Sequence, residues 1–330
     1  MNKLVDTLTS HVHDHYKKYS PVISSSVDFL VDLHLNSNHY AMPVISKDLN
    51  WYIQKLEQHD YDAISDSLVF EQTKTMRGII RVMVRTHLNR QGVGLIVRGS
   101  QNKTLTPRVL AAFDDEFEYE SLFSSDGFIA LWQNMLEKRP ELYDEIDRKS
   151  LCALSGLGEE VLLSSRLLQG CGLHNNWAKV LTGVYSGIRY LKQEYDFMPV
   201  KLWQEIDDCA GNYNNAEKLV KKFRGNVHQY GIALAGSFLA DLGSKDFVKS
   251  DTHVLDCAAI ILNREKVSDH EAVNLVYAIS DNLKIPPRMV DKVFFLGCSG
   301  YFYLTGFKAN HTRELKQNFL RKIASLDLLR

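Results

Sequence analysis

The chain has 330 residues, 45% of them apolar and 24% charged, which is ordinary for a soluble globular protein long enough to bury a core in two or three domains. A formal net charge of −1 gives no global pull toward nucleic acid, so any such pull must be local. Five scattered cysteines without a C-x-x-C pair fit a reducing compartment and argue against a zinc ribbon or a disulfide scaffold.

No apolar run reaches the ~18–20 residues needed to span a membrane. The first residues, MNKLVDTLTSHVHDHYKK, lack the apolar centre of a secretory signal, so an intracellular location is expected. Frequent 3.6-residue periodicity and only seven prolines predict a mainly α protein. His11, His13 and His15 alternate near the start. Only His11 and His15 share a helical face, which is too little for a metal site, and none is expected. Ser24 to Ser26 can cap a helix through Phe29, Leu30 and Leu33, and Leu49 to Leu56 and Tyr61 to Phe70 read as further helices.

Residues 72–113 contain no Asp or Glu but carry Lys74, Arg77, Arg81, Arg85, Arg90, Arg98, Lys103 and Arg108. Arg77, Arg81 and Arg85 are four apart and share one helical face, with Ile79, Ile80, Val82, Met83 and Val84 toward the other. A strand-like VGLIVRG follows at Val93–Gly99. Such a face suits phosphates, each of which releases counterions when neutralised. A merely solvated face, or pairing with the acidic cluster Asp114, Asp115, Glu116, Glu118 and Glu120, is the plainer alternative. That cluster, with Ser124 to Gly127 after it, marks the expected domain boundary.

Beyond it the chain predicts helices through Phe128 to Leu136, ended by Pro140, and through Val161 to Leu168, ended at Gly170. A long helix follows through Trp177 to Leu191, then a short one around Leu202, Trp203 and Ile206, and one through Ala216 to Phe223. Trp177, Tyr185 and Tyr213 are aromatic enough to stack on a base, although aromatics at helical spacing more often build a core.

Tyr230 to Leu262 organises the rest. Leu234, Phe238 and Leu242 repeat on one helical face, and Gly243 ends that helix by supplying a left-handed cap. Val254, Cys257, Ala258 and Ile261 repeat at i, i+3, i+4, i+7. A second helix therefore starts at Asp251 or Thr252, where free N–H groups and the helix dipole favour a carboxylate.

The order helix, Gly-containing hairpin, small-residue helix, loop, then Ser250-Asp251-Thr252-His253-Val254 resembles the helix-hairpin-helix DNA glycosylase superfamily. The likeness covers roughly Phe123 to Phe302. Gly172 to Pro199 looks like the helix before the hairpin, and Val267 to Phe302 like the closing helices. The resemblance implies a mainly α, glycosylase-like helical core at 123–302 with its hairpin at 224–236. A mostly helical region at 1–122, with the basic segment 72–113, would precede it, and a helix at 303–330 would follow.

The resemblance makes Asp251 the catalytic carboxylate. It makes DNA the partner, held by the hairpin at Val227, Gln229 and Gly231, with Arg224 and Lys249 in support and Arg77, Arg81 and Arg85 as the basic surface. The hairpin departs from the family pattern Leu-Pro-Gly-Val-Gly-x-Lys-x-Ala. Gly231 and Ala235 match the second Gly and the Ala, but Gln229 stands at the first Gly and Ala233 at the Schiff-base lysine. Lysine-dependent lyase chemistry is therefore not expected, and water is the expected nucleophile. Leu304 to Leu320 has no cysteine, so the iron–sulfur loop of some relatives is not expected either, and no cofactor is implied.

The expected function is a monofunctional glycosylase acting on a damaged or modified base flipped out of DNA. A base-modifying enzyme on the same fold and a non-catalytic DNA-binding module are the alternatives.

Overall fold

The computed structural model describes residues 75–88, 105–116, 121–140, 145–283, 286–299, 301–302, 307–308 and 312–325. The histidines of the first twenty residues, the helices expected before residue 71 and the strand expected at Val93–Gly99 lie outside them, as do Lys74, Arg90, Arg98 and Lys103.

The described chain is mainly helical. Its helices are α1 (Met76–Leu88), α2 (Leu105–Glu116), α3 (Ser125–Lys138), α4 (Glu145–Cys152), α5 (Glu159–Leu162), α6 (Ser165–Gly170) and α7 (Asn175–Tyr195). Then come α8 (Pro199–Asp207), α9 (Tyr213–Asn226), α10 (Ile232–Asp241), α11 (Thr252–Ile261), α12 (Asp269–Leu283), α13 (Pro287–Ser299) and α14 (Thr312–Ser325). One antiparallel pair, β1 (Tyr301–Phe302) with β2 (Phe307–Lys308), joins Tyr301 to Lys308 and Phe302 to Phe307 in register. No described helix is long and apolar enough to cross a membrane.

The chain divides into two compact units, one spanning 71–242 and the other including 243–330. The boundaries expected after residues 122 and 302 fall inside these units, because α2 and α3 pack together in the first, and α13 and α14 in the second.

In the first unit α7 is the central helix. It starts where the His174 ring accepts the Asn176 N–H and ends in two left-handed residues, Asp196 and Phe197. Gly183 and Gly187, four apart, let α1 approach closely. A Cβ at Gly183 would lie 2.1 Å from the His87 ring, and one at Gly187 would lie 2.2 Å from the Met83 sulfur. α1 therefore buries ten of its thirteen residues and is a core helix rather than a surface one.

The single helix expected over Val161 to Leu168 is two, α5 and α6. Ser164 interrupts it, its hydroxyl accepting the Leu167 N–H to cap α6, as serine favours caps over helix interiors. Tyr190, Tyr195, Phe223, Phe238 and Tyr230 form a continuous aromatic cluster from α7 to α10. Each fully buried ring contributes roughly 1.5–3 kcal/mol relative to exposure. At the rim Lys222 bonds both Glu205 at 2.6 Å and Glu194 at 3.0 Å, tying α9 to α8 and α7.

In the second unit α11 buries Val254, Cys257, Ala258 and Ile261 against α12, α13 and α14. Ser268 and Glu271 form a reciprocal capping box ahead of α12, each side chain accepting the other's backbone N–H. Phe319 of α14 packs where a side chain at Gly297 would stand, 2.5 Å from the position of its Cβ.

Candidate functional site

Asp251 is the N-cap of α11, as the periodicity predicts. Its Oδ1 accepts the His253 N–H at 2.9 Å and the Val254 N–H at 3.3 Å. Both cap bonds fall on one oxygen, so Oδ2 is left outside the cap, with Lys249 Nζ at 3.9 Å. The carboxylate is 18% exposed, enough for a ligand to reach it and little enough to hold it in place.

The loop before Asp251 is braced from two helices. Asp291 of α13 accepts the Lys249 N–H at 3.2 Å, and the Arg288 N–H donates to the Lys245 carbonyl at 3.1 Å. Ser250 donates to Asp269 of α12 at 2.6 Å. Asp291 and Arg288 are each 1% exposed and 3.5 Å apart, so the brace is a buried ion pair whose carboxylate also binds backbone. Asp291, Arg288 and Asp269 were not apparent as site residues from sequence. The available signal was Arg288, Asp291 and Lys292 at helical spacing within an otherwise apolar helix.

The hairpin lies in the other unit, between α9 and α10. Val227 to Tyr230 make a turn closed by the Tyr230 N–H on the Val227 carbonyl, and Gln229 takes a φ of +68° within it. That conformation favours glycine, and it falls where the resemblance expects the first Gly. Of the amides from Val227 to Gly231 that are expected to face a phosphate, three have partners within the protein. The Val227 N–H is spent on Phe223, the His228 N–H on the Ser186 hydroxyl at 2.8 Å, and the Tyr230 N–H on Val227.

The open donors come one step later. The first intrahelical bond of α10 is Ala235 N–H to Gly231, and Gly231 caps the helix without a side chain. The N–H groups of Ile232, Ala233 and Leu234 thus precede the first helical bond at the positive end of the dipole. A Cβ at Gly231 would meet nothing within 4 Å, and its φ of −91° suits any residue, so neither local sterics nor φ calls for glycine there.

The three arginines separate. Arg77 is exposed and Arg81 half-buried, but Arg85 is buried, with Nη2 3.4 Å from Asp241 Oδ2. Arg85 therefore belongs to the core pairing of α1 with α10 and is withdrawn from the expected phosphate face. Arg224 is exposed in the last turn of α9. Trp177 and Tyr185 are core residues, each 1% exposed, and are withdrawn as base-stacking candidates. The Tyr185 hydroxyl donates to Glu159 at 3.2 Å, and burial with that neighbour pushes it up to about 12. Tyr213, at the start of α9, remains half-buried.

Among the described residues no group of three or more His, Cys, Asp or Glu side chains is arranged to hold a metal ion. The chain matches no protein-family model, no curated protein and no solved structure.

Proposed function

We propose that the protein is a monofunctional DNA glycosylase of the helix-hairpin-helix type, hydrolysing the N-glycosidic bond of a modified or damaged base, with Asp251 as the catalytic carboxylate. The observation that carries this reading is the order of parts in the chain. A helix, a turn with a left-handed residue at Gln229 and an uncapped helix start at Gly231 lead, after the Gly243 turn, to a helix capped by Asp251.

Breaking the glycosidic bond builds positive charge on the deoxyribose of a base rotated out of the stack. Asp251 Oδ2, held by the two cap bonds on its partner oxygen, stabilises that charge or aligns the attacking water. Ala233 offers no amine to form a Schiff base, so water is the nucleophile. The open amides after Gly231 take one phosphate, as helix starts do, and Arg224, Arg77 and Arg81 add charge around the backbone.

The test is a panel of duplexes carrying single modified bases, with release of free base and formation of abasic sites as the readout. Base release from at least one duplex, abolished in Asp251→Asn, supports the reading. Salt-sensitive binding without any product makes the protein a DNA-binding module instead, and covalent addition to DNA makes it a base-modifying enzyme.

A further inference from the structure

A pair of thiols on α11 and α13 has no part in the proposed excision chemistry. Cys257 Sγ and Cys298 Sγ lie 3.6 Å apart. Both residues are essentially inaccessible, at 0% and 1% exposure. Half-buried His253, one turn before Cys257, packs edge-on against Phe295 at 5.5 Å.

Buried free cysteines usually act as small apolar residues. This pair is asymmetric. The neighbouring Cys257 sulfur, with the His253 imidazole and Lys316 acting on it, lowers the Cys298 thiol below its ordinary range. Burial and the neighbouring Cys298 push the Cys257 thiol well up. Either sulfur can donate across the contact, and the lowered group is Cys298, which suits it to attack and Cys257 to resolve. The remaining cysteines lack this arrangement: Cys152 and Cys171 are exposed, and Cys209 donates to the Glu205 carbonyl at 3.1 Å.

We propose that Cys298 and Cys257 form a peroxide-oxidisable dithiol site, with Cys298 as the attacking thiolate and Cys257 as the resolving thiol. The reactant is a hydroperoxide, of which hydrogen peroxide is the smallest. The Cys298 thiolate attacks one peroxide oxygen, and the O–O bond breaks. Cys298 becomes a sulfenic acid, and the other oxygen leaves as hydroxide and takes up a proton. The Cys257 sulfur then attacks the Cys298 sulfur. The S–S bond forms as the sulfenic hydroxyl leaves with the Cys257 proton as water. Two thiols are oxidised to one disulfide and one peroxide is reduced to two waters. The sulfurs close by about 1.5 Å to reach bonding distance. The product ties α11, which Asp251 caps, to α13, which carries the Asp291 brace.

The experiment treats the reduced full-length chain with hydrogen peroxide, alkylates the remaining thiols after unfolding in denaturant and identifies peptides by mass spectrometry without reduction. The expected result is a Cys257–Cys298 cross-linked peptide, lighter by two hydrogens than its two thiol peptides and restored by dithiothreitol. In Cys257→Ser a dione probe should trap sulfenic acid on Cys298, and in Cys298→Ser Cys257 should stay reduced. The oxidised wild type should melt higher than the reduced protein, and Cys257→Ser should lose that difference. Wild-type Cys257 and Cys298 that both remain fully alkylatable after exposed Cys152 is oxidised would overturn the proposal. So would sulfenic acid appearing on Cys257 in Cys298→Ser while Cys298 stays reduced in Cys257→Ser. The wild-type cross-link decides the matter even if a serine variant fails to fold.

Discussion

Asp291 accepts the backbone N–H of Lys249 at 3.2 Å, from a position forty-two residues further along the chain. That bond holds the loop whose last residue precedes Asp251, and it comes from a carboxylate buried beside Arg288. Removing the carboxylate leaves both a buried guanidinium and a backbone N–H without it. Asp291→Ala should therefore destabilise the protein by about 3–5 kcal/mol. Asp291→Asn retains an acceptor for the amide and should cost less. Chemical denaturation checks the energies. Hydrogen exchange at the Lys249 amide checks the mechanism: it should accelerate in Asp291→Ala more than at amides elsewhere in the unit.

Asp251→Asn separates charge from capping. The amide oxygen can still accept the His253 and Val254 N–H groups, so the stability loss should stay within about 1 kcal/mol. If Oδ2 stabilises a developing cation, single-turnover base release should fall on the order of 10²-fold or more. DNA affinity should hold or rise, because a negative charge has left the neighbourhood of the phosphates. Equal rates for wild type and variant would reduce Asp251 to a cap.

The hairpin makes opposite predictions at two positions. Gln229 sits at φ +68°, so Gln229→Gly should be neutral or stabilising by up to about 1 kcal/mol. Gly231 has open space around its missing side chain, so Gly231→Ala should leave the melting temperature nearly unchanged. If a phosphate approaches the start of α10, that added methyl should nevertheless weaken DNA binding. Unaltered affinity in Gly231→Ala would move the phosphate contact elsewhere.

The arginines of α1 should divide by burial. Arg77→Gln with Arg81→Gln should leave stability within about 0.5 kcal/mol and lower the slope of log affinity against log salt by up to about 2. Arg85→Gln should instead cost about 3–5 kcal/mol, because it leaves Asp241 buried beside a neutral partner. Salt-dependent binding and thermal melts on the same preparations distinguish the two classes. A large salt effect from Arg85 without destabilisation would return it to the surface.

The Ser268–Glu271 box gives a pH dependence. The Ser268 backbone and hydroxyl donors, with Arg264 assisting, lower the Glu271 carboxyl below its reference value of 4.5. A lowered folded value means the contribution is present above the unfolded value and is lost as pH falls through the folded one. Glu271 is more than a third exposed, so solvent screening limits the effect to at most about 1 kcal/mol. Glu271→Gln should thus be less stable than wild type at neutral pH, with the gap closing below the folded value. A constant gap from pH 7 down to pH 2 would mean that the charge plays no part.

The sequence by itself determined the features that depend on partners a few residues away. The 3.6-residue repeats located α3, α7, α8, α10 and α11, and Asp251 announced a cap because the donors to its carboxylate are the next backbone N–H groups along the chain. Gly243 was legible as a stop for the same reason, and it turns at φ +121°. Tertiary structure decided what depends on distant partners. Arg85 shares a helical face with Arg77, and only the approach of α10 with Asp241 makes it a core ion pair. The hairpin amides looked open until Ser186, forty-two residues earlier, claimed the His228 N–H. Cys257 and Cys298 looked scattered because forty-one residues separate them, and helix packing brings their sulfurs together. Local hydrogen bonding and periodicity are written in adjacent residues, whereas burial, charge pairing and thiol contact arise only when separate helices meet.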